Sequence, residues 1–428
     1  ELPYGFKGSL NLKKTSDATY RSEYGFGSED RLRNSFSANK TKKRQHIETN
    51  FIHYETLRTT ENNSTMPNTI VDAEYNKRFT PETLGGVLDI KIDTRGNYRT
   101  QSDKDKSDGS SRDVIRLSSL VNWQKDWNIG NGIIAGIGSQ IRSDSYKVYQ
   151  DPSTNDIQSF SPSGSIGIKW PIISKKKKST HFIEPKIQFI ASDNGENLIP
   201  NEDSLLPEFD ETNLFELSRF PGVDTYEKGQ RINLGINYTF ERLKSFKTIF
   251  KIGKVLRNKN ENQFSDSTGL SGRSSDWLTS SQLNIGPKFT LTNRALLKDD
   301  LSILRNELHL DWSVSSLSTT SRYIWLESDE DEGRSIDTSE LLLGANYQVT
   351  NDWNIAASLK YDFIEDKSIL SNGLDLVYYT DCTKASFSFN RKEISQSEKI
   401  NELALWLEFG GFGAQASSKL SYSKLCTG

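Results

Sequence analysis

The sequence is poor in cysteine, methionine and histidine, and it has no long apolar run. Its 428 residues include 2 Cys, 1 Met and 4 His, and neither the cysteines nor the histidines have the spacing of metal ligands. A membrane helix needs about 20 consecutive apolar residues, and no such stretch occurs here. Hydrophobic residues make up 34% of the chain, and the mean hydropathy is -0.64. These values are low for a protein with a thick apolar interior.

An excess of charge of one sign is also lacking. The chain has 54 Lys and Arg against 57 Asp and Glu, which gives a formal net charge of -3. The one dense basic run covers residues 175–178. We interpret this run as a solvated turn between two strands, with contact to an anionic lipid headgroup as the second reading. The charge distribution argues against a nucleic-acid-binding protein.

Aromatic residues are abundant, and apolar residues alternate with polar ones. The 16 Tyr, 21 Phe and 8 Trp are too many for a disordered polymer. Side chains of a strand point to opposite faces with a period of two. In the clearest segment, one face carries Trp353, Ile355, Ala357, Leu359, Tyr361 and Phe363, and the other carries Asn354, Ser358, Lys360 and Asp362. Such a strand has one face in an apolar medium and the other in water.

Strand candidates of this kind recur along the whole chain. Each has the length that a tilted strand needs to cross a bilayer, about 9 to 11 residues. About 20 or more successive strands without a helical segment favour closure into a barrel, because closure removes the exposed sheet edges. We therefore predict an all-β fold, a large antiparallel transmembrane β-barrel. A water-soluble β-sandwich of this size is the alternative.

The predicted connections between strands have two sizes. The short ones include residues 244–245 and 350–352, and the long polar ones are residues 101–112, 194–229, 257–280 and 327–340. Short turns on one side and long loops on the other are typical of an outer-membrane barrel. In that arrangement the long loops are extracellular.

The glycine and acidic motifs of the chain do not match known ligand sites. Gly130-x-Gly132-x-x-x-Gly136 lacks the spacing of a dinucleotide fingerprint, and a strand follows it where a helix would be needed. Residues 103–109 resemble a calcium-binding loop only loosely, and the acidic run 329–332 also lacks ligand spacing. We interpret both acidic segments as solvated loops, and we expect no metal and no cofactor.

The sequence also lacks a set of catalytic residues. Residues 164–167, Gly-Ser-Ile-Gly, do not form a nucleophile elbow. His309 is the best single candidate, since it lies between Glu307 and Asp311 on the polar face of a strand. We interpret it as a histidine that is hydrogen-bonded to its neighbours, because no triad can be assembled around it. We therefore expect no enzyme.

The segment from His181 to Tyr238 is the least generic part of the chain. In order, it contains Glu184-Pro185 before a strand, an Asn/Asp-rich loop with Asn201 and Asp203, a Leu-Phe pair ending at Phe215, the motif Arg219-x-x-Gly222-x-Asp224, and a return strand at 231–238. In this order of features the chain resembles the lipopolysaccharide-assembly outer-membrane protein family LptD (OstA/Imp), most closely its alphaproteobacterial branch. Weaker matches cover most of the rest of the chain.

This resemblance implies the C-terminal barrel of an LptD protein. The family's barrel has 26 strands and follows a periplasmic jellyroll. We expect residues 1–410 to be the barrel, N-terminally incomplete, and residues 411–428 to be a periplasmic C-terminal tail. In the family, lipopolysaccharide leaves through a lateral gate between the first and last strands. We assign the last spanning strand to residues 401–410, with Leu403, Leu405, Leu407 and Phe409 as its gate residues.

The resemblance also implies partners and disulfides. The expected partners are an LptE-like lipoprotein plug, an LptA-like periplasmic bridge that binds through the missing N-terminal domain, lipopolysaccharide and outer-membrane lipids. Cys382 and Cys426 are disulfide candidates, since the family forms disulfides in the oxidising periplasm. They can pair with each other or with cysteines of the missing N-terminal part, or both can be unpaired thiols.

The function that the resemblance implies is that of a lipopolysaccharide translocon. Such a barrel inserts lipopolysaccharide into the outer leaflet of the Gram-negative outer membrane through the lateral gate. The alternative is a general diffusion porin or another outer-membrane transport barrel. The expected location is the cell outer membrane, with the long loops extracellular and the C-terminus periplasmic.

Overall fold

The computed structural model describes residues 2–23, 29–58, 61–101, 112–149, 156–193, 204, 207–243, 245–330, 334–364, 368–380, 383–395 and 398–409. Helix in these ranges is limited to α1 (Tyr20–Glu23) and two 3-10 turns, Pro3–Gly5 and Asp266–Thr268. None of the described helices is long and apolar enough to cross a membrane. Nearly all of the regular structure is therefore strand.

In the described part of the chain, twenty-one strands belong to one sheet. The first eleven are β1 (Lys7–Asn11), β2 (Arg31–Lys42), β3 (Gln45–Thr56), β4 (Thr69–Phe79), β5 (Val87–Tyr98), β6 (Asp113–Gly130), β7 (Ile133–Tyr149), β8 (Ile157–Lys169), β9 (Ile172–Lys176), β10 (Ser179–Ser192) and β11 (Gly229–Arg242). The remaining ten are β12 (Phe246–Arg257), β13 (Trp277–Ile285), β14 (Phe289–Leu297), β15 (Ile303–Val314), β16 (Leu317–Leu326), β17 (Thr338–Gln348), β18 (Trp353–Asp362), β19 (Ile369–Tyr379), β20 (Thr383–Ser395) and β21 (Glu398–Phe409).

Strands that follow each other in the chain pair antiparallel from β1 to β7 and from β12 to β21. The short strand β9 is separated from β8 only by Trp170 and Pro171, and both β8 and β9 pair with β10. The prediction of an all-β, antiparallel fold with about 20 or more strands is therefore confirmed.

The strand register joins the polar faces of neighbouring strands into one surface. On β18, Leu359 lies opposite Leu343 of β17, and Ser358 lies opposite Gly344. The apolar residues of β17 and β18 are partly exposed, with Leu343 at 37% and Trp353 at 39%. The predicted alternation is thus confirmed, and it extends across strands because a one-residue shift in register would exchange the two faces.

The glycines near residue 130 belong to a tight hairpin. Asn131 and Gly132 connect β6 to β7, and their φ angles are 51° and 78°. Two consecutive positive φ angles match a type I′ turn, whose twist suits a two-residue hairpin and which favours Asn and Gly. The glycine motif therefore has a structural explanation.

The connections follow the predicted two sizes, with corrections to their bounds. The predicted loop 257–280 ends too late, since β13 begins at Trp277, and the predicted loop 327–340 ends too late, since β17 begins at Thr338. The first three residues of β17, Thr338, Ser339 and Glu340, are polar, so that the sequence alone does not separate them from the loop. The predicted loop 194–229 includes Gly229, which is the first residue of β11.

Two further predictions of boundaries need correction. The basic run 175–178 was predicted to be a turn, but its first two lysines lie in β9 and the turn is 177–178. All four lysines are exposed. The last strand begins at Glu398 and not at residue 401, because its first residues continue the pairing with β20.

The chain divides into two compact units. Unit 1 comprises Glu1–Ile168, Gln188–Leu206 and Leu217–Arg231, and unit 2 comprises Lys169–Ile187, Pro207–Glu216 and Ile232–Gly428. In unit 2, a cluster of buried apolar side chains consists of Phe209, Leu214, Val255, Leu270, Leu278, Leu296 and Leu304. This cluster lies where loop residues cover the ends of β12 to β15.

Candidate functional site

The long connection between β10 and β11 contributes buried residues to both units. Residues 207–216 belong to unit 2, and residues 217–231, which extend into the start of β11, belong to unit 1. The first part packs through apolar side chains, and the second part packs through charged ones.

In unit 1, Asp224 is the centre of a buried ion pair. Its carboxylate accepts a hydrogen bond from Arg116 of β6 at 2.7 Å and one from the Tyr146 hydroxyl of β7 at 3.3 Å. Arg116 also contacts Asp93 of β5 at 3.3 Å. Asp224, Arg116 and Tyr146 are all at most 6% exposed. Because a buried charge is costly unless it is paired, this contact holds residue 224 against three adjacent strands.

A second buried ion pair lies within residues 217–231 and joins the two ends of this segment. Glu227 accepts from Arg219 at 2.5 Å and lies 3.5 Å from Arg231 of β11. Arg231 also donates to the Ser192 hydroxyl of β10 at 3.1 Å, and that hydroxyl donates to the Glu227 carbonyl at 2.6 Å. The two arginines therefore share one carboxylate, and the segment is tied to both strands that it connects.

Tyr226 lies between these two ion pairs. The guanidinium of Arg142 on β7 lies 4.8 Å from the centre of the Tyr226 ring, a cation–π contact. Arg142 is itself bound to Asp144 at 2.8 Å and to Ser118 at 3.0 Å. Burial raises the pKa of the Tyr226 hydroxyl well above its usual value. Tyr226 therefore adds no charge beside the ion pairs.

In unit 2, residues 207–216 pack against two strands, β11 and β12, at positions where each strand has a glycine. A Cβ added at Gly235 of β11 would lie 2.8 Å from the Phe215 ring, and one added at Gly253 of β12 would lie 2.2 Å from a Leu214 methyl. Lys186 of β10 lies over the Phe215 ring at 4.0 Å. The glycines thus provide the space into which Leu214 and Phe215 fit.

The residues of the family signature are only partly brought together. Phe215 lies in the apolar contact of unit 2, while Arg219 and Asp224 each form one of the buried ion pairs of unit 1. Glu184 and Pro185 lie within β10, so the expectation that they precede a strand is wrong. The Pro185 carbonyl accepts a hydrogen bond from the Trp170 backbone N–H at 3.1 Å, next to the break between β8 and β9. Gly222 lies in the loop, and Asn201 and Asp203 lie outside the described residues.

The sequence analysis did not predict the partners of Arg219 and Asp224. Arg116 of β6 and Tyr146 of β7 bind Asp224, and Glu227 in the loop binds Arg219 and Arg231. The one signal in the sequence was the presence of charged residues on the polar faces of three strands. They are Arg116 of β6, Arg142 and Asp144 of β7, and Arg231 of β11. Their pairing was invisible because Arg116 and Asp224 are 108 residues apart.

The predicted gate residues lie on β21. Leu403, Leu405, Leu407 and Phe409 lie opposite Phe389, Phe387, Ala385 and Thr383 of β20. All four are strongly exposed, from 54% for Phe409 to 68% for Leu403. Cys382 and Cys426, and the glycines after Phe409, lie outside the described residues.

The interpretation of His309 is confirmed. Its Nε2 atom lies 3.2 Å from an Asp311 carboxylate oxygen and 3.4 Å from the Thr320 hydroxyl. Within the described ranges, no group of three or more His, Cys, Asp or Glu side chains is arranged to hold a metal ion. The histidine is therefore part of a hydrogen-bonded polar surface.

Comparisons with known proteins give one family and several remote structures. The family model described as "LptD: LPS transport system D" matches residues 2–368. A comparison with curated proteins gave no match. Among solved structures, the siderophore receptor PirA from Acinetobacter baumannii is similar at 9% identity and a TM-score of 0.44, over 95% of this chain and 74% of that one. The ferric-catecholate import receptor Fiu from E. coli K12 is similar at 10% identity and a TM-score of 0.37, over 89% and 73%.

Proposed function

The chain belongs to the LptD family, the LPS transport system D family, and we propose that it is the barrel through which lipopolysaccharide enters the outer leaflet of the outer membrane. The family match, which covers residues 2–368, carries this proposal. It identifies the chain as an outer-membrane β-barrel protein of lipopolysaccharide transport. The family is one of transport proteins and not of enzymes.

The two faces of the strands support a mechanism for an amphiphilic substrate. Polar residues of β15 to β18 form one surface and apolar residues form the other. In a transmembrane barrel the polar surface lines the interior and the apolar surface contacts lipid. The sugar head of lipopolysaccharide can then cross along the polar surface. Its acyl chains need an opening in the wall, because they are stable only in the bilayer.

We propose that this opening lies along the edge of β21 that faces away from β20. Leu403, Leu405, Leu407 and Phe409 would contact acyl chains as these pass into the bilayer. Along its other edge, β21 is held by its pairing with β20 over the whole strand. A seam with few backbone hydrogen bonds would open at lower cost than any interior strand pair.

The remaining arrangement follows from this proposal. Residues 1–410 would form the barrel and residues 411–428 a periplasmic tail, with the long connections outside the cell. An LptE-like lipoprotein would fill the interior, and an LptA-like bridge would deliver lipopolysaccharide from the periplasm. Cys382 and Cys426 would form disulfides on the periplasmic side, where oxidising conditions favour them.

Depletion of the full-length protein in its native cell tests the proposal. We expect surface lipopolysaccharide to fall while newly made lipopolysaccharide accumulates inside the cell. Depletion of an unrelated outer-membrane barrel from the same cell is the control. Normal surface lipopolysaccharide together with impaired uptake of small solutes would contradict the proposal and favour a porin.

A further inference from the structure

A cavity in unit 2 has features of a ligand site on the polar surface. Its volume is about 580 Å³, and its lining includes Arg294, His309, Arg322, Leu342 and Lys360. Binding sites for small ligands commonly have volumes of about 300–1,000 Å³. The cavity thus has room for a sugar unit.

The strand register places the cavity on the polar face. His309 of β15 lies directly opposite Arg322 of β16, which in turn lies opposite Leu342 of β17. Leu342 lies opposite Lys360 of β18, and Lys360 belongs to the polar face of that strand. All four side chains therefore form one row across four strands.

Arg322 differs from the other cations of this cavity. Arg294 is bound to Glu211 at 2.9 Å, and Lys360 is bound to Glu340 at 2.9 Å. Arg322 is exposed and, among the described residues, makes no hydrogen bond, ion pair or ring contact through its side chain. One positive charge in the cavity is therefore not neutralised by the protein.

The chemistry of the lining identifies the class of ligand. A guanidinium binds phosphate and carboxylate through two parallel hydrogen bonds. Beside Arg322, the carboxylates of Glu307 and Glu340 can accept hydrogen bonds from hydroxyl groups, and Leu342 offers an apolar patch to the C–H face of a sugar ring. A neutral sugar would provide no negative charge to pair with Arg322. An acyl chain would cover the polar groups of the cavity without giving them hydrogen-bond partners, which is unfavourable.

Resting on the proposed function, we propose that Arg322 binds an anionic substituent, phosphate or carboxylate, on the sugar part of lipopolysaccharide as it passes the polar surface. The site holds the head group while the acyl chains reach the seam. Arg322 is the specificity-determining residue, and His309 and Leu342 position the sugar on either side of it.

Photo-crosslinking of the full-length protein, purified with its bound partners, tests this site. A photoreactive amino acid at position 342 is expected to capture purified lipopolysaccharide. Replacement of Arg322 by glutamine is expected to lower that yield about tenfold, since a charge-assisted hydrogen bond contributes about 1.5–3 kcal/mol. Replacement by lysine is expected to restore part of it, because lysine keeps the charge but lacks the two parallel donors. The matched control is Arg78→Gln, since Arg78 is an exposed arginine of β4 that is ion-paired with Asp89.

Phosphatase-treated lipopolysaccharide separates the two anions. If Arg322→Gln has no effect with this ligand, then the bound group is a phosphate. If the effect persists, then the bound group is a carboxylate of the sugar. Either result supports an anion site at Arg322.

A crosslinker at Leu405 in the proposed gate strand separates this inference from the proposed function. Capture at Leu405, together with a yield at position 342 that Arg322→Gln does not change, would overturn the anion site and leave the translocon proposal intact. Capture of a protein and not lipopolysaccharide at position 342 would also overturn it, since the wall would then be a protein contact. Absence of capture at both positions would contradict both proposals.

Discussion

Asp224 is a loop residue whose charge is fixed by strand residues far away in the chain. Its carboxylate is 6% exposed and has Arg116 and Tyr146 as hydrogen-bond donors. Removal of one partner from a buried ion pair leaves the other charge without compensation, which costs about 3–5 kcal/mol. The docking of residues 217–231 therefore depends strongly on this one side chain.

We predict that Asp224→Ala releases residues 217–231 from the strands of unit 1. Amide hydrogen exchange, measured by mass spectrometry on the full-length protein, should show loss of protection in this segment equivalent to about 3 kcal/mol. Asp266→Ala is the control, because Asp266 is an exposed aspartate of another loop. Equal protection in the Asp224 variant and the wild type would show that the ion pair does not hold the segment.

Glu61, in the connection between β3 and β4, binds the first residue of β2 and the last residue of β3, and this contact depends on pH. It accepts a hydrogen bond from Arg31 at 3.0 Å and one from Thr56 at 2.7 Å. The hydrogen bond from Arg31 is the main reason that its pKa falls from 4.5 to about 2. Since the pKa is lower in the folded state, the stabilisation is fully present above pH 4.5 and is lost as the pH falls toward 2.

We therefore predict that the connection from Thr56 to Asn68 loses amide protection between pH 4.5 and pH 2. The comparison uses exchange rates that are corrected for the intrinsic effect of pH. In Glu61→Gln the same connection should have low protection that does not change over this range. A loss of protection with the same pH profile in both proteins would rule out the Glu61 carboxylate as its cause.

At the scale of secondary-structure elements, the packing of residues 207–216 requires glycine at positions 235 and 253, where a larger side chain would overlap the loop. Leu214 is 5% exposed and belongs to the apolar cluster of unit 2. A Cβ at Gly253 would lie 2.2 Å from Leu214 and 3.0 Å from the Leu234 carbonyl. An atom cannot be placed at that distance without displacement of the loop or the strand.

We predict that Gly253→Ala destabilises the docked form of residues 207–216 by about 1–3 kcal/mol, as overpacking of a core does. The double variant with Leu214→Ala should lose less than the sum of the two single changes, because it removes the clash. Gly164→Ala is the control, since its Cβ would meet no atom closer than 3.9 Å. Limited proteolysis within residues 207–216 measures undocking, and additive effects would contradict the proposed contact.

The pairing of β20 with β21 gives a test of where the wall opens. Ser388 and Ala404 lie directly opposite each other, and directly opposite residues of antiparallel strands are close enough for a cross-strand disulfide. We predict that Ser388→Cys/Ala404→Cys forms a disulfide and retains lipopolysaccharide export, because the proposed seam is the other edge of β21. Each single cysteine is the control. Loss of export that a reductant restores would place the opening between β20 and β21.

At the scale of the whole molecule, the sequence predicted the strands better than the loop contacts. The alternation around residues 353–363 predicted β18 and both of its faces, because the period of a strand is a local property. The prediction for the end of the loop before β17 was wrong, since that strand begins with the polar residues Thr338, Ser339 and Glu340. The ion pair of Arg116 with Asp224 was not predictable, because no local pattern records a contact between residues 108 positions apart.

The two faces of the strands lead to a prediction about the surrounding medium. A charged residue on the lipid face of a barrel costs about 2–4 kcal/mol near the middle of the bilayer. We predict this cost for Leu359→Arg, on the apolar face of β18, and almost none for Ser358→Arg, its neighbour on the polar face. Reversible unfolding from lipid vesicles by denaturant measures both. Equal costs would contradict a membrane in contact with the apolar face.

From β13 to β21, each strand pairs with its neighbour in sequence, and this has a consequence for how that part of the wall is made. Each of these hairpins can form from a short, continuous stretch of chain, so that the entropy lost in closing each loop is small. Growth can therefore proceed by addition of one hairpin at a time, in the order in which the chain is delivered to the bilayer. The last hairpin, β20–β21, would then be the last to join, and the edge proposed for passage of lipopolysaccharide would also be the edge at which assembly ends.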